Sequence, residues 1–452
     1  MTINIESILL RQPQNLPRYT SYPPANHFRS GESVGLTEKL LDAARQTDAV
    51  SVYIHVPYCD RLCWFCGCHT KHTLSYEPIA EYVKTLIAEI GLFAEKLGTP
   101  KRISKLHLGG GSPSLLKLPE LAQIRKALEK FGRIDEATEI SVEIDPSDVK
   151  SDTIANLIAF GLTRASIGVQ DFDPAVQAAI NRPQSFEQTR DVVNMLREAG
   201  VKSLNIDTLY GLPLQTRERL QNSIAKVLSL APDRIALFGY AHVPWMKPHQ
   251  KLIRDIDLPS QSDRLRDATQ ASNDIVCAGY QAIGIDHFAN PHDALAIAAK
   301  NGKLRRNFQG YTDDACEVML GLGPSSISRF PGGYLQNEVA TGRYTAAIAE
   351  GKLAGARGIE LTKEDRISGW IIERLMCDFA FTHGNLRDKF GSDAEVFWRD
   401  AQEKAANDTE GLCVIKEDRF IIRPEAKALV RLIAAKFDRW LDTGAFQYSK
   451  AV

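Results

Sequence analysis

Between residues 50 and 240, short apolar segments alternate with longer amphipathic ones, and this repeat limits the possible folds more than any other feature. The longer segments have helical spacing, as in "EYVKTLIAEIGLFAEKL" (81–97) and "RERLQNSIAKVLSL" (217–230). The short segments are rich in Val, Ile or Leu and have the length of β-strands. The strand candidates are "SVYIHV" (51–56), "SKLHLG" (104–109), "EISVEI" (139–144), "RASIGV" (164–169), "LNIDTLY" (204–210) and "RIALFGY" (234–240). Such βα units predict an α/β fold with a parallel sheet, closed into a complete or partial (β/α) barrel whose chemistry lies at the C-terminal strand ends.

The pattern differs on both sides of this repeat. Before it, "LPRYTSYPPANHF" (16–28) combines prolines with aromatic residues, which is typical of an extended segment lying on another surface. After it, residues 362–379 have the spacing of an amphipathic helix, residues 412–423 resemble a hairpin around "KED", and residues 424–441 resemble another helix. We therefore predict an extended N-terminal segment that packs on the active site (1–48), a catalytic partial barrel (49–350), and a mainly helical C-terminal domain with a small β-hairpin (355–452).

Composition narrows the function classes. The 452 residues are 44% hydrophobic and carry a formal net charge of −1, so no whole-chain basic field indicates a nucleic-acid partner. The start "MTINIESILLRQPQ" lacks the features of a signal peptide, and no apolar run is long enough to span a membrane. We expect a cytoplasmic monomer without nucleic-acid or membrane partners, in which thiols stay reduced. The scattered Cys277, Cys316, Cys377 and Cys413 are interpreted as small buried hydrophobic residues.

Four cysteines lie within ten residues of "YCDRLCWFCGCHTK" (58–71), directly after the first predicted strand. A structural zinc site usually takes two close cysteine pairs set well apart. No second pair follows here, although His69 and His72 could complete a set of zinc ligands. A disulfide framework is disfavoured by the expected reducing compartment. A zinc or iron–sulfur module without catalytic activity remains an alternative on this reasoning.

An iron–sulfur cluster fits the cysteine spacing better. C-x3-C-x2-C allows one flexible loop to wrap three corners of a cubane, whereas most simple electron carriers supply four cysteines. A site with three ligands leaves one iron open, and an open iron can bind and activate a ligand. The predicted cluster ligands are Cys59, Cys63 and Cys66.

This loop and a set of further motifs resemble those of the radical S-adenosylmethionine enzymes and, among them, the oxygen-independent coproporphyrinogen III oxidases. The resemblance is specific because the motifs occur in order between residues 18 and 379. They are "RYTSYP", "YIHVPYCDRLCWFCGCHTK", "GGGSPS", "EIDP", "GVQDF", "NIDTLYGLP", "YAHVP", "DHFA", "RNFQGY", "GPSSIS" and "IIERLMCDF". Cys68 completes the "CGC" typical of these oxidases, where the related haem-chaperone branch has phenylalanine. The resemblance therefore implies that Cys68 is not a ligand.

The resemblance implies a radical SAM partial barrel and an oxidoreductase of haem biosynthesis. The expected reaction is anaerobic oxidative decarboxylation of two propionates of coproporphyrinogen III to vinyl groups, giving protoporphyrinogen IX through a 5′-deoxyadenosyl radical. The implied cofactors are a [4Fe–4S] cluster and two S-adenosylmethionine molecules per chain. Besides the substrate, the implied partners are an unidentified reducing electron donor and a terminal electron acceptor. A haem-binding or haem-modifying radical enzyme is the alternative within the superfamily.

The resemblance also implies roles for individual residues. Glycine lets a backbone approach a ligand closely, and a carboxylate at a strand end can accept hydrogen bonds from ribose hydroxyls. A helix-end arginine at Arg182 and a buried structural acid at Asp207 are the plainer alternatives. Binding of the first cofactor is assigned to Tyr53, Gly110, Glu143 and Ile327, of which Tyr53 and Glu143 are also the candidate catalytic residues. Binding of the second is assigned to Phe65, Gly111, Ser112, Gln170, Arg182, Asp207 and Ala241.

The substrate site needs cations for propionates and apolar or aromatic walls for the pyrroles. Two stretches have this composition, "HVPWMKPHQKLIR" (242–254) and "KLRRNFQGY" (303–311). The candidate anchors are Lys247, His249, Arg305 and Arg306.

Overall fold

The computed structural model describes residues 5–11, 16–30 and 33–441, which form an α/β structure. The helices are α1 (Ile5–Arg11), α2 (Ser33–Arg45), α3 (Glu77–Leu97), α4 (Leu118–Phe131), α5 (Thr153–Phe160), α6 (Pro174–Ala179), α7 (Phe186–Glu198), α8 (Arg217–Ser229), α9 (Gln261–Cys277), α10 (Ala294–Lys300), α11 (Thr341–Ala349), α12 (Lys363–Asp378), α13 (His383–Phe390), α14 (Ala394–Ala406) and α15 (Val430–Ala435). The strands are β1 (Arg29–Ser30), β2 (Ala49–Val56), β3 (Tyr58–Cys59), β4 (Lys71–His72), β5 (Lys101–Gly110), β6 (Gly132–Arg133), β7 (Glu139–Ile144), β8 (Arg164–Gln170), β9 (Ser203–Tyr210), β10 (Arg234–Gly239), β11 (Gln281–Ile283), β12 (His287–Ala289), β13 (Arg305–Asn307), β14 (Gly310–Thr312), β15 (Met319–Leu322), β16 (Ile327–Phe330), β17 (Gly333–Asn337), β18 (Gly355–Glu360), β19 (Ala380–Thr382), β20 (Cys413–Lys416) and β21 (Arg419–Ile422).

The centre of the fold is one 14-stranded sheet that does not close on itself. Its order is β1-β18-β17-β16-β15-β2-β5-β7-β8-β9-β10-β12-β11, with β6 beside β5. The strands from β15 to β10 are parallel to one another, and the flanking strands are antiparallel. All six predicted strands are present, and the partial barrel is confirmed.

Burial explains why β2 reads as an apolar run. Seven of the eight residues of β2 are buried, and the register with β5 sets Tyr53 beside His107. Val52, Ile54, Leu106 and other strand side chains pack with the helices in one large hydrophobic cluster. Because the parallel strands end at one edge of the sheet, the residues that follow them meet there.

A second hydrophobic cluster joins the N-terminal segment to the C-terminal region. Tyr19 and Tyr22 pack with residues of α12 and α15 in this cluster. The hairpin predicted at 412–423 forms β20 and β21, and the helix predicted at 362–379 forms α12. The helix predicted at 424–441 is shorter, because residues 424–429 adopt a 3-10 helix and α15 ends at Ala435. The division into three domains remains a prediction.

Two details differ from what the sequence indicated. Helix α2 was not predicted, although Leu40, Leu41 and Ala44 have helical spacing and are buried. Cys377 and Cys413 are buried as expected, but Cys277 is exposed at the end of α9 and Cys316 is partly exposed. No helix among the described residues has the length and apolar character needed to cross a membrane.

Candidate active site

The four clustered cysteines lie in the loop after β2, whose ends are held together where β3 pairs with β4. Cys63 is buried, Cys59 and Cys66 are partly buried, and Cys68 is exposed. The Cys68 N–H donates a hydrogen bond to Cys66 Sγ at 3.3 Å. Burial raises the pKa of Cys59 to about 12 and also raises that of Cys63, so iron binding must displace protons from these thiols.

Lys247 and His249, in the segment after β10, contact the cysteine loop directly. Lys247 Nζ donates to the carbonyl oxygen of Cys68 at 2.9 Å, and His249 Nε2 donates to that of Cys66 at 2.8 Å. Neither residue lines the main cavity. The structure therefore does not support their predicted role as substrate anchors, and instead shows them holding the cysteine loop.

Gln250 connects the same two segments from a fully buried position. Its Nε2 donates to the carbonyl oxygen of Phe65 at 2.9 Å and to that of Ala241 at 3.2 Å, and its Oε1 accepts from the Val243 N–H at 2.6 Å. These bonds fix Phe65 and Ala241, both predicted cofactor-binding residues, relative to each other.

The glycine run after β5 packs closely on the start of the cysteine loop. The Gly111 N–H donates to the Val56 carbonyl at 2.7 Å, and the Ser112 N–H donates to the Tyr58 carbonyl at 2.7 Å. A Cβ at Gly111 would lie 2.4 Å from the Tyr58 oxygen, so no larger residue fits without moving the backbone. The run joins the cysteine loop to the end of β5.

Glu143, at the end of β7, is held as a carboxylate by two donors. His107 Nε2 lies 3.2 Å from its Oε1, and the Gly110 N–H donates to its Oε2 at 2.9 Å. Burial alone would raise the pKa of Glu143. The two hydrogen bonds outweigh burial and bring this pKa below its ordinary value, and the bond from His107 has the larger effect. The side chain is still 40% exposed and lines the main cavity, so it remains accessible to a ligand.

Tyr53 belongs to a chain of hydrogen bonds that ends in the cysteine loop. Its hydroxyl lies 3.0 Å from His55 Nδ1, and His55 Nε2 lies 2.8 Å from the carbonyl oxygen of His69. Because a carbonyl only accepts, His55 Nε2 carries the hydrogen and Nδ1 accepts from Tyr53. Burial lowers the pKa of His55, which favours this neutral form. The Tyr53 ring stacks on His107 with a centroid distance of 5.8 Å, next to Glu143.

Arg182 is buried rather than a surface charge at a helix end. Its Nη1 lies 2.9 Å from Asp145 Oδ2 and 3.5 Å from Cys63 Sγ, and its Nη2 donates to the Gly168 carbonyl at 2.7 Å. Asp145 also pairs with Arg61 at 3.2 Å. Arg182 Nε is buried without a hydrogen-bond partner among the described residues.

Gln170 is the last residue of β8, and Asp207 lies inside β9, three residues before its end. Gln170 has a positive φ of 69° after a register shift in β8, an unusual conformation for a residue that is not glycine. Asp207 accepts hydrogen bonds from Ser166 Oγ at 3.0 Å and Asn205 Nδ2 at 2.8 Å. Burial, followed by the negative charge of Glu143, raises the pKa of Asp207.

One cavity of about 990 Å³ brings together many of the predicted residues. It extends along the inside of the barrel to the cysteine loop. Ile327 lies apart, lining a neighbouring cavity of about 220 Å³. Five other predicted residues are not in the wall of the large cavity. Each of them either contacts a residue of that wall or packs on the cysteine loop. They are Tyr53, Gly110, Gly111, Ser112 and Arg182. The predicted residues that line the large cavity are Phe65, Glu143, Gln170, Asp207, Ala241 and Arg306.

The residues present fit a cluster and a nucleoside cofactor. Among the described residues, no three His, Cys, Asp or Glu side chains converge to hold a single metal ion. A cubane does not need such convergence, because each cysteine binds a different iron. The loop supplies three thiols for the cluster. The accessible carboxylate of Glu143 and the closely packed glycine backbone suit the nucleoside cofactor.

Comparison with known proteins agrees with this geometry. The model of the radical SAM superfamily matches residues 53–227. An oxygen-independent coproporphyrinogen III oxidase of Cereibacter sphaeroides is 47% identical over 439 residues, 96% of each chain. That of Bradyrhizobium diazoefficiens is 42% identical over 439 residues, 97% of this chain and 98% of the relative. The structure of the coproporphyrinogen III oxidase of Escherichia coli, a radical SAM enzyme, superposes with a TM-score of 0.90 at 34% identity, covering 98% of this chain and 100% of that one.

The open parallel barrel and its cysteine loop are those of a radical S-adenosylmethionine enzyme. Its cofactors are a [4Fe–4S] cluster and S-adenosylmethionine. Within this class, the chain belongs to the family of oxygen-independent coproporphyrinogen III oxidases.

Sequence reasoning missed several residues of the site. His55 and His107 hold Tyr53 and Glu143 in place, and Phe308 packs edge-on against Tyr53 with a centroid distance of 4.9 Å. The two histidines were detectable, since His55 shares a strand face with Tyr53 and His107 stands at the same level of the next strand. Phe308 follows β13, far along the chain from β2, so only the fold reveals its position.

Proposed function

We propose that this chain catalyses the anaerobic oxidative decarboxylation of two propionate side chains of coproporphyrinogen III to vinyl groups, giving protoporphyrinogen IX. Each conversion removes one hydrogen from the propionate β-carbon and then carbon dioxide and one electron. The observation that carries the proposal is the shared cavity, which contains Glu143, Gln170 and Asp207 beside the three-cysteine loop. Likeness to the named oxidases over nearly the whole chain supports the same activity.

The chain's own residues prepare this cavity for radical chemistry. When bound, the cluster and S-adenosylmethionine supply an electron and the 5′-deoxyadenosyl radical that removes the hydrogen. Glu143 is ionised and oriented by His107 and Gly110, so it can accept hydrogen bonds from ribose hydroxyls. Phe65 and Phe238 contribute apolar wall, which limits contact between a reactive species and water.

The proposed stoichiometry is two S-adenosylmethionine molecules per chain. Glu143, Tyr53 and Gly110 form one connected group beside the end of β5, which suits a first molecule near the cluster. A second group lines the same cavity further along, which suits a second molecule. It consists of Gln170 at the end of β8, Asp207 in the C-terminal half of β9 and Ala241 just after β10. Arg182, beneath Gly168 and next to Cys63, supports this second position.

The remaining partners are also proposals. An external reductant must reduce the cluster, and a terminal acceptor must take the electron released with each carbon dioxide. The expectation of a cytoplasmic monomer stays a prediction, as does the role of Ile327, which lies on β16 outside the large cavity.

A direct assay tests the proposed reaction. Anaerobic, cluster-reconstituted protein is incubated with S-adenosylmethionine, a reductant, an electron acceptor and coproporphyrinogen III, and the porphyrins are then oxidised and separated. The expected products are protoporphyrin and 5′-deoxyadenosine, with omission of S-adenosylmethionine as the control. Formation of 5′-deoxyadenosine with coproporphyrin left intact would assign the chain a different substrate.

A further inference from the structure

Part of the large cavity is lined by arginines from four separate regions of the chain. Arg18 belongs to the N-terminal segment, Arg264 to α9, Arg306 to β13 and Arg431 to α15. Arg306 Nη2 lies 3.5 Å from the carbonyl oxygen of Arg18, and Arg431 Nε donates to the carbonyl oxygen of Pro17 at 3.0 Å. Arg18 and Arg264 donate to the carbonyl oxygens of two consecutive residues, Gly239 and Tyr240. Four separate segments thus place positive charge in the same part of the site.

Within the part of the chain that the structure describes, acidic side chains balance little of the charge on Arg18 and Arg264. Asp286 lines the same region, but it lies 2.7 Å from His287 Nδ1 and 3.8 Å from Arg306 Nη2, so it is already shared. The guanidinium of Arg18 donates to the Gly239 carbonyl at 3.0 Å, and that of Arg264 to the Tyr240 carbonyl at 2.8 Å. Neutral carbonyls orient these groups without neutralising them, and neither arginine forms an ion pair with a described carboxylate.

Several guanidinium nitrogens still have hydrogen-bonding capacity. The Arg306 side chain is only 4% exposed, yet its Nε and Nη1 have no hydrogen-bond partner among the described residues. The same holds for Arg264 Nε. Burying charged donors without partners is unfavourable, and burial lowers the pKa of both Arg18 and Arg264. Burial, followed by the positive charge of Arg18, lowers the pKa of Arg431 to about 9.

The surroundings indicate the kind of anion that this region binds. Tyr210, Tyr240 and Phe308 line the same cavity and provide aromatic surface beside the charges. Guanidinium groups are suited to planar carboxylates, which they can bind through two parallel hydrogen bonds. A ligand with several carboxylates on an apolar ring system satisfies both features.

We propose that Arg18, Arg264 and Arg306 form a carboxylate-binding site that holds the substrate propionates not undergoing decarboxylation. The inference rests on the proposed function, and it replaces the anchors expected from the sequence except Arg306. Two of the four propionates survive in the product, so one fixed site can hold an unreacted carboxylate in both rounds. Holding the far side of the tetrapyrrole directs a reacting propionate toward Glu143 and the cysteine loop, which line the same cavity.

Equilibrium binding of coproporphyrin III to the anaerobic holoenzyme tests the site without turnover. This oxidised porphyrin keeps all four carboxylates and is detected by its fluorescence. Replacing any of the three arginines by glutamine should weaken binding about 10- to 150-fold, as expected for the loss of one charge-assisted hydrogen bond. The tetramethyl ester of coproporphyrin III lacks the charges and should bind the wild type and the variants equally. Arg264→Lys should recover part of the affinity, because it restores the charge but not the two-pronged geometry.

Arg305→Gln is the matched control. Arg305 precedes Arg306 in β13, but it pairs with Glu373 at 3.0 Å and does not line the large cavity. It should bind coproporphyrin III like the wild type. Cluster absorbance and thermal unfolding, recorded for each variant, separate misfolding from loss of the anion site.

The results distinguish this inference from the proposed function. If Arg18→Gln, Arg264→Gln and Arg306→Gln all bind coproporphyrin III as tightly as the wild type, the carboxylate site is disproved even if the enzyme makes protoporphyrinogen. If the wild type makes no protoporphyrinogen but the three variants still lose coproporphyrin binding, the reaction is wrong and the carboxylate site stands. In an active enzyme the variants should raise KM for coproporphyrinogen III, and an effect on kcat alone would contradict anchoring.

Discussion

At the scale of single residues, the thiols of Cys66 and Cys68 lie in different environments, although only one residue separates them in the chain. Hydrogen bonding from Cys68 lowers the pKa of Cys66 to about 7, and the Cys68 backbone N–H also points at Cys66 Sγ. Such donors favour a thiolate at Cys66, the form that binds iron. The Cys68 side chain is exposed, and no described residue donates a comparable hydrogen bond to its sulfur.

We expect Cys66→Ser to abolish the cluster and Cys68→Ser to retain it, because three thiolates already hold three irons. Iron content per chain and visible absorbance of anaerobic protein measure this. Cys59→Ser and Cys63→Ser should behave like Cys66→Ser. Loss of iron from Cys68→Ser to the same extent as from Cys66→Ser would make Cys68 the ligand.

A substitution of Arg182 can distinguish the two proposed S-adenosylmethionine positions. Arg182→Ala should reduce the affinity for the second S-adenosylmethionine about 10- to 150-fold. The loss corresponds to one charge-assisted hydrogen bond from Arg182 to this molecule, worth about 1.5–3 kcal/mol. The first molecule and the cluster should remain. Equilibrium binding of labelled S-adenosylmethionine should then give about one molecule per chain.

The control for Arg182 is Arg61→Ala, since Arg61 shares Asp145 with Arg182 but does not contact Cys63 in the described structure. If both variants lose cofactor equally, the effect comes from disturbing Asp145. Two tightly bound molecules in active Arg182→Ala would contradict the proposed role.

At the scale of elements, the segment after β10 determines where the cysteine loop lies. Gln250→Met keeps the volume of the side chain but removes its bonds to Phe65, Ala241 and Val243, and each buried group left unpaired costs about 1–3 kcal/mol. We expect a folded protein whose cluster is lost faster to a chelator, as followed by visible absorbance. Gln270→Met, which removes only a bond to Asp274 on α9, is the control and should lose its cluster at the wild-type rate.

Glu89 connects α3 to the loop after β15 from a fully buried position. It accepts hydrogen bonds from the Gly323 N–H at 2.8 Å, Asn337 Nδ2 at 2.7 Å and the Tyr344 hydroxyl at 2.7 Å. Burial outweighs these bonds and raises the pKa of Glu89 from 4.5 to about 7. The folded chain therefore keeps a proton that the unfolded chain loses as the pH passes 4.5.

The stabilisation linked to this proton is complete below the unfolded pKa and declines as pH rises to about 7. The loss corresponds to about 3 kcal/mol of unfolding free energy, at 1.36 kcal/mol per unit. Glu89→Gln cannot ionise, so its stability relative to the wild type should improve between pH 5 and pH 8. Urea denaturation at several pH values measures the difference. Parallel pH profiles for the two proteins would show that Glu89 does not titrate in this window.

The elements that could be predicted from sequence are those whose pattern is local. Strand β7 was predicted to the residue, because polar and apolar residues alternate along it. Ile140, Val142 and Ile144 pack in the core, while Glu139, Ser141 and Glu143 face the cavity. The helix expected at 424–441 was too long, since apolar spacing does not distinguish an α-helix from the 3-10 helix at 424–429. Gln250 and Arg264 could not be predicted, because their roles depend on contacts between segments far apart in the chain.

At the scale of the whole molecule, the N-terminal segment connects the barrel to the C-terminal region. Arg18 reaches the Gly239 carbonyl at the end of β10, whereas the Tyr19 hydroxyl donates to Asp438 at 3.0 Å. Tyr22 packs in the hydrophobic cluster of α12, and its hydroxyl accepts from the Arg439 N–H at 2.9 Å. The position of Arg18 in the proposed carboxylate site thus depends on contacts made by its neighbours.

Tyr22 is the residue through which this dependence can be measured. It is only 6% exposed, and Tyr22→Ala should destabilise the fold by about 3–5 kcal/mol, the usual cost of removing a buried aromatic side chain. Tyr22→Phe keeps the ring and should cost about 1 kcal/mol, for one hydrogen bond. Urea denaturation, followed by the fluorescence of Trp370 and Trp398 in the same cluster, gives both values.

Because Arg18 loses its support, Tyr22→Ala should also raise KM for coproporphyrinogen III at temperatures where the protein stays folded, whereas Tyr22→Phe should not. A Tyr22→Ala enzyme with normal KM would show that Arg18 is held by the barrel alone.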